Sequence, residues 1–176
     1  MADTASELNR EAALTPRDFV LLRRSFAMAE RAVAVGERPF GAVIADPYGD
    51  ALVEVYGQGV ALKDITAHAE TSAVRDLRGR FNREFLAACT LYSSAEPCAM
   101  CAGAIYWSNI RRIVFGLSEL RLRALRNVSA ATSALTIGCA EVLATGGHSI
   151  TVIGSVLEDE AIRPHVGFWE RLAALR

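Results

Sequence analysis

Five short apolar segments alternate with helical patterns along this chain, and their order restricts the possible folds more than any other feature. They cover residues 40–46, 51–57, 89–95, 111–117 and 149–156. The first two flank Pro-Tyr-Gly and predict a β-hairpin with its turn near residues 47–50. Strands that alternate with helices after one hairpin predict an α/β fold with a mixed sheet and helices on both faces.

Helix signals fill the intervals between these strands. Thr15 is a typical N-cap residue before Pro16, and the apolar periodicity that follows ends at Gly36. Further helices are predicted over residues 68–78, over residues 97–108, between the last two strands, and at the C-terminus, where Pro164 interrupts the pattern.

Length and composition favour one domain. The chain has 176 residues, of which 52% are hydrophobic, enough for a full core and a subunit interface. We predict a mobile N-terminal tail over residues 1–13 and a single domain over residues 14–176. The net charge of −1 does not favour binding to nucleic acid or to an anionic membrane.

The N-terminus lacks a signal-peptide pattern, and no apolar run is long enough to span a membrane. A cytoplasmic location is therefore expected. In that compartment the four cysteines are expected to be thiols or metal ligands rather than disulfides.

Two short motifs carry the chemistry. "TAHAE" contains His68 and Glu70, and "EPCAMC" contains Cys98 and Cys101. Each motif opens a predicted helix, where unpaired N–H groups and the helix dipole favour thiolates. Residues three apart share a helical face, so Cys98 and Cys101 can hold one metal ion with His68 as the third ligand.

Three protein ligands leave the fourth zinc position open, as in catalytic sites. Glu70 would then accept a proton from water and deliver it to a ring nitrogen and a leaving amine, which is hydrolytic deamination. His-x-Glu followed by Pro-Cys-x-x-Cys is the known zinc deaminase signature. A thioredoxin-type redox pair is an alternative for Cys98 and Cys101, although it leaves the first motif unexplained.

Longer stretches around these motifs resemble the cytidine deaminase-like superfamily. They are "RPFGAVIAD", "DITAHAETSAVRDL" and "LYSSAEPCAMCAGAIYWSNIRRIVFG", within a resemblance that runs from about Val20 to Phe115. The similar branch contains guanine deaminases, related nucleobase and nucleoside deaminases, and bacterial tRNA adenosine deaminases. The resemblance implies a three-layer α/β/α sandwich with a central mixed five-stranded sheet, and a homodimer. It also implies one Zn²⁺ per chain on His68, Cys98 and Cys101, with Glu70 as proton shuttle.

The same resemblance implies the substrate contacts Phe40, Ala69, Trp107 and Glu141. Trp107 resembles a pocket residue of guanine deaminases. The carboxylate of Glu141 would accept hydrogen bonds from the ring N–H and the exocyclic amine of guanine. The alternatives are a core position for Phe40 and Trp107, and a surface position for Glu141. Gly59 stands where this branch usually has an asparagine that contacts the base.

We therefore predict a zinc-dependent hydrolase that deaminates a free nucleobase or nucleoside, with guanine-like purines first. A tRNA adenosine deaminase is the alternative, and a non-catalytic zinc-stabilised binding domain is a third possibility. The basic cluster over residues 121–126 would contact tRNA phosphates in the second case and is otherwise a solvated helix face.

Overall fold

The computed structural model describes residues 14–126 and 135–175, so the predicted mobile tail lies outside the described residues. In chain order the elements are α1 Pro16–Ala34, β1 Gly41–Ala45, β2 Ala51–Tyr56, α2 Ala69–Asp76, α3 Arg83–Ala88, β3 Thr90–Ala95, α4 Ala99–Ser108, β4 Arg112–Leu117, α5 Glu119–Arg126, α6 Cys139–Ala144, β5 Thr151–Ile153, α7 Glu158–Ala161, a 3₁₀ helix Arg163–His165 and α8 Phe168–Ala174. None of the helices in this part of the chain combines the length and apolar character that a membrane span requires.

The five strands form one sheet in the order β2-β1-β3-β4-β5. β1 pairs antiparallel with β2 and with β3, whereas β3, β4 and β5 run parallel. All residues of β1 and β3 are buried, as expected for central strands covered on both faces. The predicted hairpin and mixed five-stranded sheet are thus confirmed.

Side chains that alternate along the strands separate two apolar clusters. Ile44, Leu91 and Ile113 belong to the first cluster, which also contains residues of α2, α4 and α6. Val43 and Val114 belong to the second cluster, with residues of α1, α7 and α8. Helices therefore cover both faces of the sheet, and the three-layer α/β/α architecture is confirmed.

Helix α1 begins as predicted, with Thr15 as N-cap and with reciprocal hydrogen bonds between Thr15 and Asp18 that form a capping box. The chain turns at Gly36, which has a φ of +84°. Pro164 interrupts the C-terminal helical region, also as predicted.

Three regions of the chain differ from the predictions. Helix α3 was not predicted, and two helices rather than one, α5 and α6, occupy the described residues between β4 and β5. Strand β5 has three residues, although the apolar pattern extends over eight. Only Thr151–Ile153 pair with β4, and the backbone leaves the extended conformation at Ser155, where φ is +61°.

Candidate active site

His68 is the N-cap residue of α2, with an extended backbone at φ −68° and ψ 161°. The preceding turn is shaped by Asp64, whose Oδ1 accepts hydrogen bonds from the backbone N of Thr66 at 2.8 Å and from its hydroxyl at 2.6 Å. Thr66 in turn accepts from the backbone N of His68 at 2.8 Å. These local hydrogen bonds fix the backbone at His68 and therefore the direction in which its imidazole side chain projects.

Cys98 is the N-cap residue of α4, and Cys101 lies in its first turn. Glu96 holds the loop that leads into this helix. Its two carboxylate oxygens accept from the backbone N atoms of Cys139 and Glu119, each at 3.1 Å. Glu96 was not predicted as a site residue, although it is an acidic residue only two positions before a predicted ligand.

The two helix N-termini bring three ligand atoms together. The Nδ1 atom of His68 lies 3.6 Å from the sulfur of Cys98 and 3.5 Å from the sulfur of Cys101, and the two sulfurs are 3.5 Å apart. A tetrahedral zinc ion at ordinary Zn–S and Zn–N distances requires separations of about 3.5–3.8 Å. The side chains therefore fit the ion that the two motifs imply.

The protonation of the two thiols is coupled through one hydrogen bond. The hydrogen bond between the two sulfurs lowers the pKa of Cys98 to about 4, and the nearby His68 acts in the same direction. The same bond, together with burial, raises the pKa of Cys101. Hydrogen bonding to Cys98 raises the pKa of His68. A divalent cation favours the thiolate form of both ligands.

Glu70 lies directly beside this group. Its side chain is only 4% exposed, its Oε2 atom is 3.4 Å from the sulfur of Cys101, and its Oε1 atom accepts from the hydroxyl of Ser93 at 2.8 Å. Burial raises the pKa of the Glu70 carboxyl. Ser93 lies on β3, and its contribution was not predicted because the contact spans two elements.

The four predicted substrate contacts lie in different environments. Ala69 is buried between His68 and Glu70, and Phe40 is half-buried at the start of β1, where it packs against both apolar clusters. Trp107 is 78% exposed, so the alternative that places it in the core is wrong. Glu141 is exposed in the first turn of α6.

The basic cluster is largely neutralised by carboxylates. Arg121 pairs with Glu158 and Asp159 at 3.3 and 3.0 Å, and Arg123 pairs with Glu119 at 3.1 Å. Arg126 turns inward and packs against aromatic rings. This cluster therefore does not present a continuous row of free cations.

A mixed sheet with a His/Cys/Cys group and an adjacent buried glutamate defines the class of zinc deaminases. Residues 16–117 match the family model described as the cytidine and deoxycytidylate deaminase zinc-binding region. The chain belongs to this deaminase family, which supports a hydrolytic deaminase.

Relatives and solved structures in this family differ in their substrates. A probable cytosine deaminase of Schizosaccharomyces pombe is 43% identical over 89% of this chain and 95% of its own length. A tRNA-specific adenosine deaminase of Haemophilus influenzae is 40% identical over 51% of each chain. The structure of a guanine deaminase from Nitrosomonas europaea is 22% identical, with a TM-score of 0.67 over 89% of this chain and 85% of that chain, and this likeness concerns the fold.

Proposed function

We propose that this protein is a zinc-dependent hydrolase that removes an exocyclic amine from a free nucleobase or nucleoside. The observation that carries the proposal is the group of three ligand atoms, all within 4.8 Å of one another, with the buried carboxylate of Glu70 beside it. His68, Cys98 and Cys101 would hold one Zn²⁺ per chain. A zinc ion held in this way would lower the pKa of a coordinated water toward about 7.

Glu70 would move the protons of the reaction. Its carboxylate would accept one proton from the attacking water and deliver it to a ring nitrogen, and would then move the second proton, from the hydroxyl group added to the ring carbon, to the leaving amine. The Ser93 hydroxyl holds Oε1, which leaves Oε2 as the oxygen on the side of the metal ligands. Burial raises the pKa of Glu70, which suits a group that must both accept and release a proton near neutral pH. A purely structural metal site needs no such group, which counts against the non-catalytic alternative.

Two kinds of base are the main candidates. The guanine-like preference rests on Trp107 and Glu141, and it stays a prediction because both residues are exposed in the single chain. A cytosine-type base is the second candidate, supported by a relative that matches over almost its whole length. The ion pairs of Arg121 and Arg123 count against tRNA as the substrate.

The test is ammonia release from matched substrates by protein with its metal, by protein stripped with a chelator, and by protein to which zinc is restored. The panel contains cytosine, guanine, adenine, their nucleosides and a tRNA anticodon stem-loop. We expect zinc-dependent turnover of a free base or nucleoside, and Glu141→Gln should slow turnover of guanine only. Turnover of the stem-loop alone would replace this proposal with tRNA editing, and no turnover of any substrate would contradict it.

We also propose that the chain forms a homodimer. Met100 and Trp107 lie seven residues apart on one face of α4, and both side chains are exposed. Sedimentation equilibrium should give twice the chain mass of 19.0 kDa, and Trp107→Asp should shift the protein toward the monomer. Tyr48→Asp is the matched control, since Tyr48 is an exposed aromatic residue on the β1–β2 turn. A monomeric parent protein would contradict the proposal.

A further inference from the structure

An arginine side chain is enclosed by aromatic rings at the C-terminal end of α5. The guanidinium carbon of Arg126 lies 4.8 Å from the ring centre of Trp169 and 5.5 Å from that of Phe40. The ring of His165 stacks on Trp169 at 6.0 Å and meets the edge of Phe40 at 5.3 Å. We call Phe40, Arg126, His165 and Trp169 the arginine–aromatic cluster.

Several polar atoms of this cluster lack partners. Among the described residues, no hydrogen bond is found for Arg126 Nε, Trp169 Nε1 or either ring nitrogen of His165, and all are buried. Trp169 is 5% exposed and His165 is 0% exposed. Buried donors without partners are rare in folded proteins because each one costs free energy. Such a concentration of them indicates a site that a ligand completes.

The cluster adjoins the metal-binding residues through two routes. On one side, Phe40 accepts a hydrogen bond from the backbone N of Gly57 at 3.1 Å. Gly57 packs closely on the start of α2, since a Cβ atom there would lie 3.4 Å from the backbone N of Ala69, the residue after His68. Phe40 therefore lies at the same edge of the sheet as the metal ligands.

On the other side, Arg126 connects to the loop before Cys98. Its Nη1 atom lies 3.8 Å from a carboxylate oxygen of Glu119. The backbone N of Glu119 donates to Glu96 at 3.1 Å, and Glu96 is two residues before Cys98. Both routes connect the cluster to residues that flank the metal ligands His68 and Cys98.

The local charge is positive. Glu119 is shared between Arg126 and Arg123, which is closer at 3.1 Å. Burial lowers the pKa of the Arg126 guanidinium, and the charges of Arg38 and Arg123 act in the same direction. The charges of two cysteine thiolates and one Zn²⁺ would cancel. The metal centre would therefore not neutralise the charges of these arginines. The Glu119 carboxylate acts in the opposite direction on the pKa of Arg126, but because it is shared with Arg123 it does not balance both arginines.

We propose that the arginine–aromatic cluster binds an anionic group of the substrate, so that the enzyme deaminates an amino-heterocycle that carries a ring carboxylate. This inference rests on the proposed function and specifies its substrate class. A planar carboxylate matches the guanidinium edge of Arg126, and the indole N–H of Trp169 is a further donor. The flat rings of Phe40 and Trp169 suit a planar heterocycle. The enclosure of the cluster favours a carboxylate attached directly to the ring over a phosphate on a ribose.

Equilibrium binding tests this inference without requiring turnover. Calorimetry would compare uracil with uracil-5-carboxylate and uracil-6-carboxylate, and uridine with uridine 5′-monophosphate, on the zinc-loaded protein. We expect at least one carboxylate to bind tenfold or more tightly than uracil, because a charge-assisted hydrogen bond in a buried site is worth about that factor. Equal affinity for uracil and both carboxylates would overturn the inference, even if no variant folds.

Variants of Arg126 test whether the arginine–aromatic cluster is the site that binds the carboxylate, which we call the anion site. Arg126→Gln should remove the preference for the carboxylate and leave the affinity for uracil within about threefold of the parent. Arg126→Lys keeps the positive charge and should retain part of the preference for the carboxylate. Arg121→Gln is the matched control, because Arg121 lies on the same helix but pairs with Glu158 and Asp159. An equal loss for uracil and carboxylate in Arg126→Gln would make Arg126 structural and overturn the inference. An Arg126-dependent preference for the nucleotide alone would overturn the carboxylate assignment in favour of a phosphate.

Turnover then separates this inference from the proposed function. If the parent protein prefers carboxylates in binding but releases ammonia from no amino-heterocycle, including cytosine-5-carboxylate, the anion site stands and the deaminase proposal fails. If it deaminates neutral bases faster than cytosine-5-carboxylate, and Arg126→Gln does not change that order, the deaminase proposal stands and the anion site fails.

Discussion

At the scale of single residues, Glu70 tests the mechanism without disturbing the metal ligands. Glu70→Gln keeps the size of the side chain and an oxygen for the Ser93 hydroxyl, but it cannot carry a proton. We expect zinc content and thermal stability close to the parent and a loss of about 10²–10⁴-fold in kcat. Metal analysis, thermal melting and steady-state kinetics measure these quantities. Activity within a few fold of the parent would remove Glu70 from the mechanism.

The four cysteines supply an internal control for the metal assignment. Cys98→Ser and Cys101→Ser should lower bound zinc from one ion per chain to a small fraction and reduce stability, since metal binding is coupled to folding. Cys89→Ser and Cys139→Ser change cysteines that are buried in the first apolar cluster, so zinc should be retained even where stability falls. Elemental analysis of the four proteins decides the matter. Full zinc in the first pair would contradict the assignment.

Sequence spacing predicted the residues whose roles depend on local structure. His68, Glu70, Cys98 and Cys101 belong to two short motifs, and each motif begins a helix, so their grouping requires only that two helix N-termini meet. Ser93 and Glu96 were not predicted because their partners are determined by tertiary contacts. For the same reason the contact between Arg126 and Phe40, which are 86 positions apart in the sequence, was not predicted.

At the scale of elements, α1 offers a test of its N-terminal cap. The hydroxyl of Thr15 accepts from the backbone N of Asp18 at 3.3 Å, and Asp18 accepts from the backbone N of Thr15 at 2.7 Å. Thr15→Ala removes the first bond and should lower the free energy of unfolding by about 1 kcal/mol. Thr15→Ser keeps the capping oxygen and should stay close to the parent. Urea denaturation measures both, and equal losses would show that the hydroxyl does not cap the helix.

Long elements with strong signals were predictable, and short ones were not. Helix α1 has 19 residues and a complete set of capping signals, whereas α3 has six residues and no buried side chain. Its only clear signal is Asn82, whose side chain accepts from the backbone N of Phe85 at 2.8 Å. Strand β5 was predicted too long because the apolar pattern does not reveal the backbone turn at Ser155, after which Val156 packs in the second apolar cluster.

At the scale of the whole molecule, a buried polar network joins α1 to the sheet. Asp18 is buried and binds Arg112 of β4 and the hydroxyl of Tyr92 of β3, each at 2.6 Å. Burial alone would raise the pKa of Asp18, but the hydrogen bonds from Arg112, Tyr92 and Thr15 together lower it to about 2 from its ordinary value of 3.8. This network therefore contributes stability only while Asp18 is ionised.

The sign of the pH dependence follows from these values. Because the unfolded chain binds the Asp18 proton more tightly, the contribution is complete above pH 4 and is lost as the pH falls toward 2. It amounts to about 2 kcal/mol. The free energy of unfolding of Asp18→Asn should therefore lie well below that of the parent at pH 6, and the difference should shrink by roughly two thirds of that amount at pH 2.5. A pH-independent difference would assign the loss to packing instead of charge.

The two tryptophans give this protein a built-in pair of optical reporters. The indole of Trp169 is enclosed beside a guanidinium group, and that of Trp107 faces water. An enclosed indole fluoresces at shorter wavelength than a hydrated one, so the two emission bands separate. Replacing Trp107 with Phe leaves Trp169 as the single tryptophan, and its fluorescence intensity should change when a ligand binds at the arginine–aromatic cluster. Replacing Trp169 with Phe leaves Trp107, whose fluorescence should respond only to changes at the exposed face of α4. The fluorescence of Trp169 then reports ligand binding at the arginine–aromatic cluster, and that of Trp107 reports contact between chains, as two independent signals.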